Sequence, residues 1–146
     1  MNKSIPDKWV RKAVYDAIND MVVDSETIPC YDSMVSEGPP PYAYTLLNSQ
    51  TSDVDKANKC EWLWISTILI DCISIYPDPG SGSSLFIDNI LESVRDLTDE
   101  IELDVSSGLS IVTRTMSFPT PPGGGYELVD NQAVFRRLMR LQLLIK

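Results

Sequence analysis

Cys60-Glu61-Trp62-Leu63-Trp64-Ile65-Ser66-Thr67-Ile68-Leu69-Ile70-Asp71-Cys72-Ile73-Ser74-Ile75-Tyr76 is the stretch that decides the fold. It is dense in β-branched and aromatic residues, which suit a pleated surface. Read with period two, Trp62, Trp64, Ile68 and Ile70 share one face. Leu63, Ile65, Leu69, Ile73 and Ile75 share the other. Both faces are apolar, so each needs a cover, whereas a sheet with one wet face would alternate. Helices are available for one face, and a loop or another subunit must cover the second. The apolar run from Leu63 to Ile75 is too short for a membrane helix and carries Asp71.

Downstream, Pro77-Asp78-Pro79-Gly80-Ser81-Gly82 ends the strand. Ser83 or Ser84 then caps a helix whose stripe is Phe86, Ile87, Ile90, Leu91, Val94 and Leu97. Asp88, Glu92 and Asp96 line its other side. The stretch from Thr98 to Ser107 is acidic (Asp99, Glu100, Glu102, Asp104). Leu109 to Phe118 reads as a strand, followed by a proline- and glycine-rich loop from Pro119 to Tyr126. Gln132 to Ile145 is rich in good helix formers. Phe135, Met139, Leu141, Leu143 and Ile145 nevertheless fit period two, and a strand is expected.

Upstream, residues 6–23 read as an amphipathic helix. Pro6 suits its first turn, and Ser4 or Asp7 is placed to cap it. Val10, Ala13, Val14, Ala17, Ile18 and Met21 form its apolar face. Ile28 to Asp32 reads as a short strand placed at an edge by Pro29. The prolines at 39–41 lead into a strand on which Tyr42, Tyr44 and Leu46 alternate. Residues 48–59 are polar and lack periodicity, which predicts a loop. The expected fold is α+β: a mixed or mostly antiparallel sheet of about four to five strands with two helices packed on one face. It forms a single domain over residues 1–146, with long loops at 48–59 and 119–131.

The chain has 146 residues and a formal net charge of −9, from 12 Lys and Arg against 21 Asp and Glu. That balance argues against binding nucleic acid through the overall field. There is no histidine, which removes the Ser-His-Asp triad, the Cys-His dyad and Cys/His zinc sites. Cys30, Cys60 and Cys72 are odd in number and lack C-x-x-C spacing, so they read as small buried hydrophobes in a reducing cell. No phosphate loop surrounds Gly123-Gly124-Gly125. The acids at Asp53/Asp55 and Asp99/Glu100/Glu102 lack an EF-hand pattern. No catalytic residue, metal site, cofactor or membrane contact is expected.

Several local patterns, taken in order, resemble the tail-completion family of tailed bacteriophages, also called tail terminator or head–tail joining proteins. The residues are Ala13-Val14-Tyr15 in the opening helix, Ile28-Pro29-Cys30-Tyr31-Asp32, and Pro40-Pro41-Tyr42-Ala43-Tyr44-Thr45-Leu46. Trp64-Ile65-Ser66-Thr67-Ile68-Leu69-Ile70-Asp71-Cys72 follows, and then the helix bearing Ile87, Ile90, Leu91, Val94 and Leu97. The chain departs from the family at Leu47-Asn48, where a glycine is usual, and in its proline run and 119–125 loop. The resemblance implies a structural ring of six copies, or of twelve, in the neck or at the tail end of a virion. Its partners would be itself and other neck, portal or tail proteins, with DNA passing through the lumen without specific binding. The protein would be made in the host cytoplasm.

Each candidate surface has a structural reading beside the functional one. Trp62 and Trp64 suit an intersubunit contact or core packing. Pro39, Pro40, Pro41 and Tyr42 suit a partner's aromatic groove or a proline-led strand start. Pro121, Pro122 and Tyr126 are a second proline-rich contact candidate. Arg136, Arg137 and Arg140 are the basic cluster, for docking on an acidic ring or for balancing this chain's own acids. Asp88, Glu92, Asp96, Asp99 and Glu100 are candidates for a negative lumen wall that keeps DNA mobile, or for a solvated helix face. The alternative function is a soluble protein-binding module that recruits a partner through the proline-rich loops.

Overall fold

A computed structural model of the chain describes residues 4–32, 42–55, 63–80 and 82–146. It is an α+β fold with two helices, a mixed six-stranded sheet and a small hairpin. The elements are α1 (Asp7–Ile18), β1 (Met21–Val23), β2 (Glu26–Ile28), β3 (Cys30–Asp32), β4 (Ala43–Asp55), β5 (Leu63–Tyr76), α2 (Ser84–Asp99), β6 (Ile111–Ser117), β7 (Tyr126–Val129) and β8 (Gln132–Ile145). The main sheet runs β3-β4-β5-β8-β6, with β7 also on β8. Its one parallel pair is β3 with β4, and the others are antiparallel.

β5 and β8 form the centre. Thirteen residue pairs run without a break from Trp64↔Ile145 to Tyr76↔Ala133. Residues that pair share a face, so Ile68, Ile70, Cys72, Met139, Leu141, Leu143 and Ile145 line one side. Both helices pack there. Val10, Val14 and Ile18 of α1 and Ile87, Ile90 and Val94 of α2 are fully buried in the same cluster. The period-two reading of residues 132–145 is correct, because packing against β5 and β6 overrides the helical preference of Leu, Met, Arg and Gln.

The expected opening helix ends early, at Ile18, and Met21 belongs to β1. Asp20 adopts a left-handed conformation (φ 58°) just after the helix. Asp24 and Ser25 (φ 49° and 68°) then make a two-residue turn that pairs β1 with β2, the backbone a tight hairpin requires. Pro6 itself occupies the N-cap position and makes no side-chain cap hydrogen bond. The strand expected at 28–32 is two strands parted at Pro29.

The sheet has six strands rather than four or five. Residues 48–55 are strand, not loop, and only 56–59 of the expected loop lie outside the described residues. A register shift between Leu47 and Gln50 separates the apolar half of β4 from its polar half, after which Gln50↔Ile68 through Asp55↔Leu63 continue the ladder. The pairing partner holds this polar half extended, and the shift interrupts the alternation that would have marked it. The 119–131 loop likewise contains a 3-10 turn at Pro122–Gly125 and all of β7, which turns into β8 through Asp130 and Asn131 (φ 49° and 62°).

Candidate functional site

The second face of the sheet is the functional candidate. On β5 it comprises Leu63, Ile65, Thr67, Leu69, Asp71, Ile73 and Ile75. On β8 it comprises Val134, Arg136, Leu138, Arg140, Gln142 and Leu144, and Tyr44 and Leu46 extend it onto β4. No helix among the described residues packs on this face, since both helices join the opposite core. Tyr44, Ile73 and Leu138 are buried yet lie outside that core. Leu63, Ile65, Leu69 and Leu144 are only half-buried.

An ion pair is embedded in this apolar surface. Asp71 is 2% exposed, and Arg136 donates to both of its carboxylate oxygens, with Nε 3.1 Å from Oδ1. The Asp71 hydrogen bond raises the Arg136 guanidinium above its ordinary range. Burial first, and the Asp71 charge next, push up the Tyr44 phenol beside it. The Tyr31 ring stands edge-on to Tyr44, with centroids 5.7 Å apart.

The three arginines read as one basic cluster do not form one. Strand alternation sends Arg136 and Arg137 to opposite faces. Arg136 is held by Asp71, and Arg137 pairs with Asp88 of α2 at 2.9 Å. Two of the three therefore balance the chain's own acids. Arg140 is exposed on the same face as Arg136. Among the described cationic side chains it alone has no ion pair, hydrogen bond or ring contact.

The other candidates scatter. Trp64 lies on the helix side, against the core. Trp62 and the prolines at 39–41 lie outside the described residues. Tyr42 is exposed and meets the rings of Tyr76 and Phe86 at 5.0 and 6.0 Å. Tyr126 is exposed against Phe135 at 5.1 Å, while Pro121 is buried and Pro122 exposed. Asp88, Glu92, Asp96, Asp99 and Glu100 are all exposed along α2 and its end. Asp88 is paired to Arg137, and Glu92 and Asp96 flank Arg95.

A feature missed in the sequence lies on the helix side. A cleft of about 360 Å³ opens between α1 and the segment after α2. Trp9, Ala13, Ala17, Leu97 and Ile101 give it an apolar floor. Its rim carries Asp16, Glu100, Glu102 and Asp104 against one cation, Lys12. Asp16 pairs with Lys12 and Glu102 with Arg114, each at 2.9 Å. The Ser106 hydroxyl, then its N–H, hold the Asp104 carboxyl below the usual range. The Glu100 side chain has no such partner among the described residues. Helical spacing alone shows that Trp9, Ala13 and Ala17 share a flank, but not that residues 100–104 fold back beside it.

Among the described residues, no group of acids, cysteines or histidines has metal-binding geometry, and no helix is long and apolar enough to cross a membrane. Neither family models nor curated protein sequences give a match to this chain.

Proposed function

We propose that this chain is a non-enzymatic structural protein of a phage virion, closing into a ring in the neck or at the end of the tail. One observation carries the reading: both helices cover one sheet face, leaving the other, with Leu63, Ile65, Leu69 and Leu144, outside the helix-side core. Its apolar side chains are half-buried or buried rather than fully exposed, and a partly accessible apolar face of this kind supports an interaction surface. The ordered resemblance to tail-completion proteins supplies the kind of assembly. Head-to-tail contacts between unlike surfaces close into a ring when the rotation permits. Asp88, Glu92 and Asp96 project from the exposed side of α2, where Arg137 and Arg95 offset part of their charge, and together with exposed Asp99 would present a net negative wall to passing DNA. The partners are other copies of the chain and the neighbouring neck, portal or tail proteins.

Native mass spectrometry over a concentration series tests this reading. The expected result is a six- or twelvefold species of the 16.3 kDa chain. A chain that stays monomeric throughout and also fails to bind purified tail or portal particles would sink the proposal.

A further inference from the structure

We propose that Arg140 docks into the acid-rimmed cleft of a neighbouring copy, where it meets Glu100. This deepens the ring reading and rests on it. The observations on the two surfaces are independent of each other. One surface is the sheet face opposite the helices, apolar around an exposed arginine with no partner among the described residues. The other is the cleft at α1, with an apolar floor and four carboxylates against one lysine on its rim.

The surfaces lie on opposite sides of the molecule, one on the sheet and one on the helix layer, and a head-to-tail contact uses two different patches. Their charges are complementary. Face-to-face pairing of two identical sheet faces would instead bring Arg140 and Arg136 of both copies into one contact, with Asp71 already engaged. Arginine suits the contact, because its apolar stem can lie along Ala13, Ala17 and Leu97 while the guanidinium reaches the rim. The assignment moves Glu100 from the acids expected at the lumen into the interface.

Charge reversal tests the proposal. Arg140→Glu and Glu100→Lys each change an exposed side chain and leave the fold intact, which circular dichroism and thermal melting check. In sedimentation and native mass spectrometry, each single variant should raise the self-association Kd at least about tenfold, since like charges face each other. The double variant R140E/E100K restores opposite charges and should recover assembly. A wild-type chain that assembles while R140E assembles equally well would overturn this contact and leave the ring standing. Loss in both single variants with no recovery in the double would overturn the pairing as well. A wild-type chain that never self-associates would defeat the contact together with the ring reading.

Discussion

Arg136 reaches diagonally across the β5–β8 ladder to Asp71: it pairs with Ile73 in the register, yet its guanidinium holds the carboxylate two residues away. The two partners are unequally exposed, 31% for the Arg136 side chain and 2% for Asp71. The consequences of breaking the pair should be unequal too. Arg136→Ala strands a buried carboxylate and should cost about 3–5 kcal/mol. Asp71→Ala strands a guanidinium that can turn to solvent, with a smaller loss of about 1–3 kcal/mol. Urea denaturation at neutral pH measures both. Equal losses would show that the buried carboxylate is not what sets the cost.

Leu69 and Ile70 are chain neighbours on opposite faces of β5, half-buried and fully buried respectively. Ile70→Ala should destabilise the fold by about 2–5 kcal/mol through the cavity it leaves. Leu69→Ser should cost the monomer less, about 1–2 kcal/mol, because that side chain is only partly buried. Its larger effect should be on self-association. Thermal melting beside sedimentation separates the two, and a Leu69→Ser chain that assembles like wild type would remove the sheet face from the interface.

α2 begins at Ser83, whose hydroxyl oxygen accepts the Leu85 N–H at 3.0 Å. Ser83→Ala should lower stability by about 1 kcal/mol, and Ser83→Asp should retain it because the carboxylate accepts the same bond and favours the helix N-terminus. Chemical denaturation compares the three. An alanine variant as stable as wild type would mean that water replaces the cap without loss.

The sequence was most legible where apolar periodicity ran unbroken. Residues 63–76 and 132–145 announce strands because apolar side chains recur every second residue, and residues 84–97 announce a helix by an equally clean stripe. Legibility fails where the backbone carries the information. Asp24-Ser25 and Asp130-Asn131 turn the chain through positive φ without a glycine, so the hairpins they close passed for helix and loop. The polar half of β4 is a strand only because β5 pairs with it. The split among Arg136, Arg137 and Arg140 follows from the strand assignment already made, but which acid each arginine finds depends on tertiary contacts. The cleft was hidden for the same reason, since its two walls are about 90 residues apart in the chain.

Cys30 and Cys72 offer a test of the core through pH. Both flank Thr45 in the register, Cys30 on β3 and Cys72 on β5, and both are buried. Burial pushes both thiols up, for Cys72 with a further contribution from the Asp71 charge. The folded chain therefore keeps them protonated where the unfolded chain's thiols ionise, at about pH 8.5. Below that pH their contribution to stability is complete. Above it the unfolded state binds fewer protons than the folded state, so stability should decline as pH rises. In a Cys60→Ser background, a disulfide reagent at pH 8 should label the native protein at least about a hundredfold more slowly than the denatured chain, since labelling waits for opening. Denaturation midpoints at pH 7 and pH 9.5 should fall in that order. Fast native labelling at Cys30, or a midpoint that does not move with pH, would place the β3 edge of the core in contact with solvent.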